Sequence, residues 1–240
     1  MDSRTTESAY CGGNEVLDRL SQREREALLP YLHVYHDEEA NVLRTRDQPI
    51  DTVHFPIDAV YSVVVELSQG HTYEVDVIGR GGVVGAEIAI GAQRALRTVL
   101  CQAGGRVAQL PCHQFKDVLA RNETFLLAVR DSLRRQWFDS QQTVACNFVH
   151  TVEQRAARWI LMTQDQSGRD HFPMRYEYLA IMLGIPQMKV HEPIGVLAQL
   201  DCIRYADEHV TVISREALRN YVCECYELQS LVPMTLDGAD

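Results

Sequence analysis

One change of hydrophobic period constrains this chain more than any other feature. From about residue 42 to 110 apolar residues alternate with period two; from Leu126 to Phe148 they recur every three or four positions. In Val60-Tyr61-Ser62-Val63-Val64-Val65-Glu66-Leu67, the residues Tyr61, Val63, Val65 and Leu67 alternate with smaller or polar neighbours, the pattern of a half-buried strand. Ser68-Gln69-Gly70-His71 supplies a turn, and Tyr73, Val75 and Val77 alternate with Glu74 and Asp76 on the way back, so a hairpin is expected. Thr98–Gln102 and Arg106–Leu110, joined through Gly104-Gly105, extend the pattern to a closed or sandwiched antiparallel sheet.

The second half reads as helices. Leu126, Val129, Leu133, Trp137, Ser140, Val144 and Phe148 form one apolar stripe on a helix of about 25 residues, and a stripe that long needs a partner. A two-fold pairing between subunits through Leu126, Val129, Leu133, Trp137 and Val144 is the reading preferred over packing within the chain. Ahead of the sheet, Ser21 and Glu24 have capping-box spacing in a short helix over 14–32, and Thr151 and Gln154 repeat that spacing at the start of a later helix. Gln164 to Pro173 reads as loop. Two short helices broken at Gly184-Ile185-Pro186 then have the spacing of a helix-turn-helix, Ile203–Tyr205 and Val210–Ile213 read as a wing, and Ser214 caps a last helix over 215–226.

Composition sets the remaining bounds. The 240 residues suffice for two modest cores, and a net charge of -10 disfavours long-range attraction to a polyanion. No run is apolar enough to span a membrane, and the polar Met1–Glu7 is unlike a secretory signal, so a cytoplasmic location is expected. Seven cysteines without a CxxC pair read as reduced, mostly buried thiols. Cys223-Glu224-Cys225 is closely spaced, but two thiolates alone cannot complete a tetrahedral metal site. The nine histidines show no metal-ligand spacing, although His33 and His36 are three apart, and one imidazole would suffice as a haem ligand. Cys112-His113 joins no activated nucleophile or phosphate loop, so an enzyme is not expected.

The stretch Ala145 to Met162, with Cys146-Asn147-Phe148-Val149-His150-Thr151-Val152-Glu153-Gln154-Arg155 at its centre, resembles the exit from the dimerisation helix in a subgroup of the Crp/Fnr superfamily of bacterial transcription regulators. Phe55-Pro56, the turn Gly79-Arg80-Gly81-Gly82-Val83-Val84-Gly85 and the ending Cys223-Glu224-Cys225-Tyr226 are similar to that subgroup as well, so the likeness spans roughly residues 14–226. It implies an α+β chain: a jelly-roll-like antiparallel β-roll sensor over 1–121, a dimerisation helix over 122–149, a winged helix-turn-helix over 150–226, and a tail over 227–240. The implied function is a homodimeric regulator that binds DNA under effector control, without a membrane partner or cofactor. The alternative is a member that no longer binds DNA and acts through a protein partner.

Two elements depart from the family pattern. Cyclic-nucleotide binders use a Gly-Glu pair and an Arg followed by a small hydroxyl residue; here Gly85-Ala86-Glu87 displaces the acid by one, and the basic candidates are Arg94 and Arg97-Thr98. Cyclic AMP is therefore not the expected effector; another nucleotide, a fatty acid or haem stay open. An N-terminal iron-sulfur cluster is not expected, because only Cys11 is available there. The recognition helix opens Pro186-Gln187-Met188-Lys189-Val190-His191-Glu192, with one cation, and Pro193 is expected to kink it. Gln187, Lys189, His191 and Arg175 are the candidates for DNA contact, while Ala206-Asp207-Glu208-His209 places two carboxylates on the wing.

Overall fold

The structure, a computed structural model, describes residues 6–7, 10–68 and 70–230. Gln69 of the expected turn and most of the expected C-terminal tail, 231–240, lie outside the described residues. Short α1 (Glu15–Asp18) and α2 (Gln22–Leu28) lie between the first strand and the rest of the sheets, and the Ser21/Glu24 capping box is present. The single helix expected over 14–32 is thus two, with a 3-10 turn over Leu29–Tyr31 where Pro30 takes a first-turn position.

Two four-stranded antiparallel sheets form the β-roll. One runs β1 (Thr6–Glu7), β2 (His33–Asp37), β8 (Gly105–Pro111), β4 (Thr52–Pro56); the other runs β3 (Val42–Arg44), β7 (Thr98–Ala103), β5 (Val60–Glu66), β6 (Thr72–Ile78). The expected hairpin is β5–β6, with a register shift at Val63/Val64. The strands on either side of Gly104-Gly105 belong to different sheets, so that connection crosses from one layer to the other. A Cβ on Gly104 would approach Asp37 O to 2.9 Å, and one on Gly105 would meet Asp58 and Ala59, so two glycines fit where side chains do not. Asn14 clasps the roll to α1: its Nδ2 donates to Pro56 O (2.9 Å) and Gly82 O (3.0 Å). Phe55, Phe115 and Phe125 pack with centroids 5.6–6.3 Å apart at the base of the roll.

After α3 (Cys112–Arg121) the chain enters α4 (Glu123–Val149), 27 residues long and capped by Asn122. The Thr151/Gln154 capping box opens α5 (Val152–Ser167). The expected loop over 164–173 is ordered instead: α5 ends on left-handed Gly168, and β9 (His171–Pro173) pairs with the wing. Then come α6 (Tyr176–Leu183), α7 (His191–Gln199), the wing strands β10 (Ile203–Ala206) and β11 (His209–Val212), α8 (Arg215–Tyr221) and α9 (Cys225–Ser230). The expected helix over 215–226 therefore breaks at extended Val222.

The helical half does not stand apart from the roll. Val60, Val77 and Ala103 of the sheet join Trp159, Ile160, Leu179 and Leu197 in one buried cluster. Arg169 Nη2 donates to Asp58 O (3.2 Å) and Gly104 O (2.9 Å), and a Cβ on Gly79 would collide with Gln166 of α5.

Candidate functional site: cleft, helical seam and helix-turn-helix

The β5–β6 face and the middle of α4 enclose a cleft of about 870 Å³. Its walls are largely aliphatic: Val63, Val65, Val75, Ile78 and Val99 from the sheet, Leu133, Trp137 and Val144 from α4. Of the expected effector residues, Gly85, Glu87 and Arg97 reach this cleft, whereas Arg94 and Thr98 do not. Arg94 Nη1 donates to Asp47 O (2.6 Å), Arg97 Nη1 to Leu96 O (2.8 Å), and buried Thr98 Oγ1 accepts from Arg46 N (3.2 Å). The three groups are spent on separate backbone or loop partners and do not converge on one anion.

Two further polar residues have no role in the sequence reading: Asp76, which lines the cleft, and Arg44, which stands behind Gly85. Arg44 is buried against Gly85, where a Cβ would meet its Nη1 at 2.8 Å, and its Nη2 donates to Thr52 O (2.5 Å). Burial lowers its pKa, with Glu87 opposing. Asp76 lies on the inner face; burial holds its carboxyl well above the usual range, and Asp139 adds to the effect.

On α4 the expected stripe divides. Trp137, Val144 and Phe148 are 69%, 57% and 87% exposed, an unpartnered seam along the helix. Leu126 and Leu133 are half-buried. Val129 is fully buried beside Phe115 and Phe125 in the chain's own core, so it does not face outward as the dimer reading expected. The 3.6-residue period carries Val129 about a quarter of a turn away from the Trp137–Val144–Phe148 line.

In the expected helix-turn-helix, Gln187, Met188 and Lys189 form an exposed 3-10 turn and the α-helix begins only at His191. This removes the kink expected at Pro193. The proline falls in the first turn of α7, where backbone amides have no intrahelical acceptor anyway, and its ring is buried. His191 Nδ1 lies 2.8 Å from Met188 O, closing the turn. Arg175 is not a free cation: Nε pairs with Glu208 of the wing (3.0 Å) and Nη1 with Glu177 (3.2 Å). Asp207 and Glu208 adopt left-handed φ of 51° and 60° to make the two-residue turn. Exposed Arg204, which the sequence reading did not single out, stands on β10; among the described residues neither it nor Lys189 forms an ion pair.

A third group of residues converges where α4 ends. Cys146, His150, Cys223 and Cys225 bring their donor atoms within 4.8 Å of one another. The expectation that the Cys223/Cys225 pair stands alone does not survive this geometry, because the other two donors come from a segment more than seventy residues earlier. Cys146 is pulled below the usual thiol range chiefly by the Cys223 thiol directed at it, and Cys223 is pushed up by the same contact.

No known family profile and no curated protein matches the sequence. Solved structures do match. FixK2 from Bradyrhizobium japonicum superposes with a TM-score of 0.67 at 12% identity, covering 80% of this chain and 98% of that one. A CRP-family transcriptional regulator from Thermus thermophilus gives 0.63 at 18%, covering 78% and 95%. The cyclic-di-GMP-responsive global regulator CLP of Xanthomonas campestris gives 0.63 at 13%, covering 81% and 100%. This chain has the Crp/Fnr regulator fold. In Crp/Fnr terms, the cleft lies in the β-roll, the seam on the long central helix and the 3-10 turn at the head of the second helix of the helix-turn-helix. No helix among the described residues is long and apolar enough to cross a membrane.

Proposed function

We propose that this chain is a homodimeric, effector-controlled transcription regulator whose effector is an apolar small molecule. One observation carries the reading: the aliphatic cleft and the exposed seam share α4. Trp137 and Val144 line the cleft and are also the exposed apolar residues of the seam, so a molecule in the cleft acts on the surface that pairs two subunits. Such a ligand stabilises whichever helix arrangement it contacts better, which is all that effector control requires.

A cyclic nucleotide is a poor occupant. Its phosphate needs a cation and free amides aimed at one point; Arg94 and Thr98 lie outside the cleft on other partners, and Arg97, which reaches it, has Nη1 bonded to Leu96 O. The domain division at 121/122 and 149/150 belongs to the proposal: the roll senses, α4 pairs, and the rest reads DNA or docks a protein.

DNA contact is assigned to Gln187, Lys189 and His191, with Arg204 on the wing added and Arg175 reassigned to bracing Glu208. The 3-10 turn presents Gln187 and Lys189 outward ahead of α7, and exposed His191 opens that helix, the part of a helix-turn-helix that meets base edges. The paired Arg175 and the acidic wing turn favour a second reading, in which the head has given up DNA and docks on a protein. Selection of the purified full-length chain against a random duplex pool at physiological salt separates them. The DNA reading expects enrichment of a two-fold symmetric sequence with half-sites one helical turn apart; an unenriched pool overturns it.

A further inference from the structure

We propose that Cys146, His150, Cys223 and Cys225 form a tetrahedral site for a single zinc-class divalent ion that fastens the end of the reading head to the end of α4. Helical spacing sets the first pair. Cys146 and His150 are four apart at the last turn of α4, one above the other, with the His150 amide bonded to Cys146 O (3.1 Å). Cys223 and Cys225 flank Glu224 where the chain breaks between α8 and α9, and the break turns both sulfurs inward. The three thiols are 0%, 3% and 2% exposed.

The separations are those of one ion's coordination shell. Zinc–sulfur bonds of about 2.3 Å and zinc–nitrogen bonds of about 2.0–2.1 Å in a tetrahedron place neighbouring sulfurs about 3.8 Å apart and sulfur and nitrogen about 3.6 Å apart. Here Cys146 Sγ and Cys223 Sγ are 3.6 Å apart, and Cys225 Sγ and His150 Nδ1 are 3.5 Å apart. An iron-sulfur cluster holds its thiolates further apart than the 4.8 Å limit seen here, because several iron atoms sit between them. Three soft thiolates with one imidazole suit zinc in preference to the hard cations calcium and magnesium.

The surroundings carry the second, independent observation. His150 Nε2 faces the Glu224 carboxylate at 3.0 Å, and in the tautomer that donates to that carboxylate the Nδ1 lone pair faces the sulfurs. That carboxylate–histidine arrangement is how metal-bound imidazoles are oriented. Gln142 Nε2 donates to Cys225 Sγ (3.0 Å), which fixes the direction of that sulfur. Arg155 and Arg158 stand close enough to act on Cys146, offsetting the single net negative charge of three thiolates and a divalent ion. Glu224 is 72% exposed, so the rim opens to solvent and an ion has a way in. The site joins the α4–α5 corner to the chain after α8, across the whole reading head, and so restricts how far that head swings from the pairing helix. Ion binding here is independent of whether the head binds DNA.

The test uses the full-length chain, stripped of metal under reducing conditions and titrated with cobalt(II). One equivalent should bind per chain, with strong thiolate-to-cobalt charge transfer and the visible bands of a tetrahedral ion, and zinc should displace it. Cys223→Ser should lose the charge-transfer intensity of one thiolate, while Cys11→Ser, at an exposed cysteine, should bind as the parent does. Glu224→Gln, on the surface, should weaken binding by about 10–100-fold without loss of helical signal, so the result does not depend on a core variant folding. Weak octahedral bands, unchanged cobalt binding in Cys223→Ser, or purification of a brown protein containing acid-labile sulfide would each overturn the assignment.

Discussion

Glu74 is the residue at which burial most plainly opposes charge. It lies on β6, 2% exposed, and neither carboxylate oxygen has a hydrogen-bond partner; the neighbouring Ser62 hydroxyl is spent on Gln102 Oε1 (3.2 Å). Burial pushes its pKa up to about 8, and the Arg158 guanidinium of α5 offsets only part of the cost. Asp76 on the same strand is raised well above its usual range, and Asp139 on α4 rises to about 6, again chiefly by burial. Each carboxyl binds its proton more tightly folded than unfolded. Below the unfolded values of about 4 both states are protonated and the contribution is level; as pH rises towards 8, the folded state must either hold protons the solvent disfavours or bury charge, and stability falls. Urea unfolding at pH 5.5 and 8 should therefore show a loss for the parent chain that Glu74→Gln reduces, with the variant the more stable of the two at pH 8. Lys189 offers a second test at this scale. Lys189→Ala should weaken duplex binding and lower its salt slope by about one phosphate contact, read by titration between 50 and 200 mM salt.

At the scale of elements, α4 is where sequence and structure can be compared most closely. The 3.6-residue period was enough to place a helix of this length and an apolar stripe on it, because amphipathic spacing is a local property. Which stripe residues face outward was not legible. Val129 and Trp137 satisfy one pattern in the sequence, yet Val129 is buried by Phe115 and Phe125 while Trp137 is 69% exposed, a division set by where α3 and the roll dock. The cap signals at Ser21 and Thr151 were readable because both partners lie within three residues. The Cys146–His150–Cys223–Cys225 group was not, because its halves meet only after the chain has folded, although Cys-x-x-x-His at the helix end was a signal that could have found it. Similarly, Pro193 looked disruptive only on the assumption that α7 starts at Gln187. The outward seam makes its own prediction: Trp137→Glu with Phe148→Glu places four carboxylates in a two-fold interface, and light scattering should then give the mass of one chain where the parent gives two. A parent mass of one chain, or an unchanged mass in the double variant, would remove α4 as the pairing element.

In the whole molecule, a cleft, a seam and a helix-turn-helix are joined through one helix, at whose end Cys146, His150, Cys223 and Cys225 meet. The head is packed on the roll through Val60, Val77 and Ala103 and pinned by Arg169, so the two halves meet through buried contacts and not through a flexible linker. The acidic total of -10 means that DNA binding, where it occurs, depends on the local face carrying Lys189 and Arg204. The most direct test is a genomic pull-down of the tagged full-length chain beside its Trp137→Glu/Phe148→Glu variant. Reproducible sites of two-fold symmetry are predicted, with half-sites about 10–10.5 base pairs apart or a multiple of that, all lost in the variant. Recovery of partner proteins with no enriched DNA from the parent chain would contradict the reading of a DNA-binding dimer.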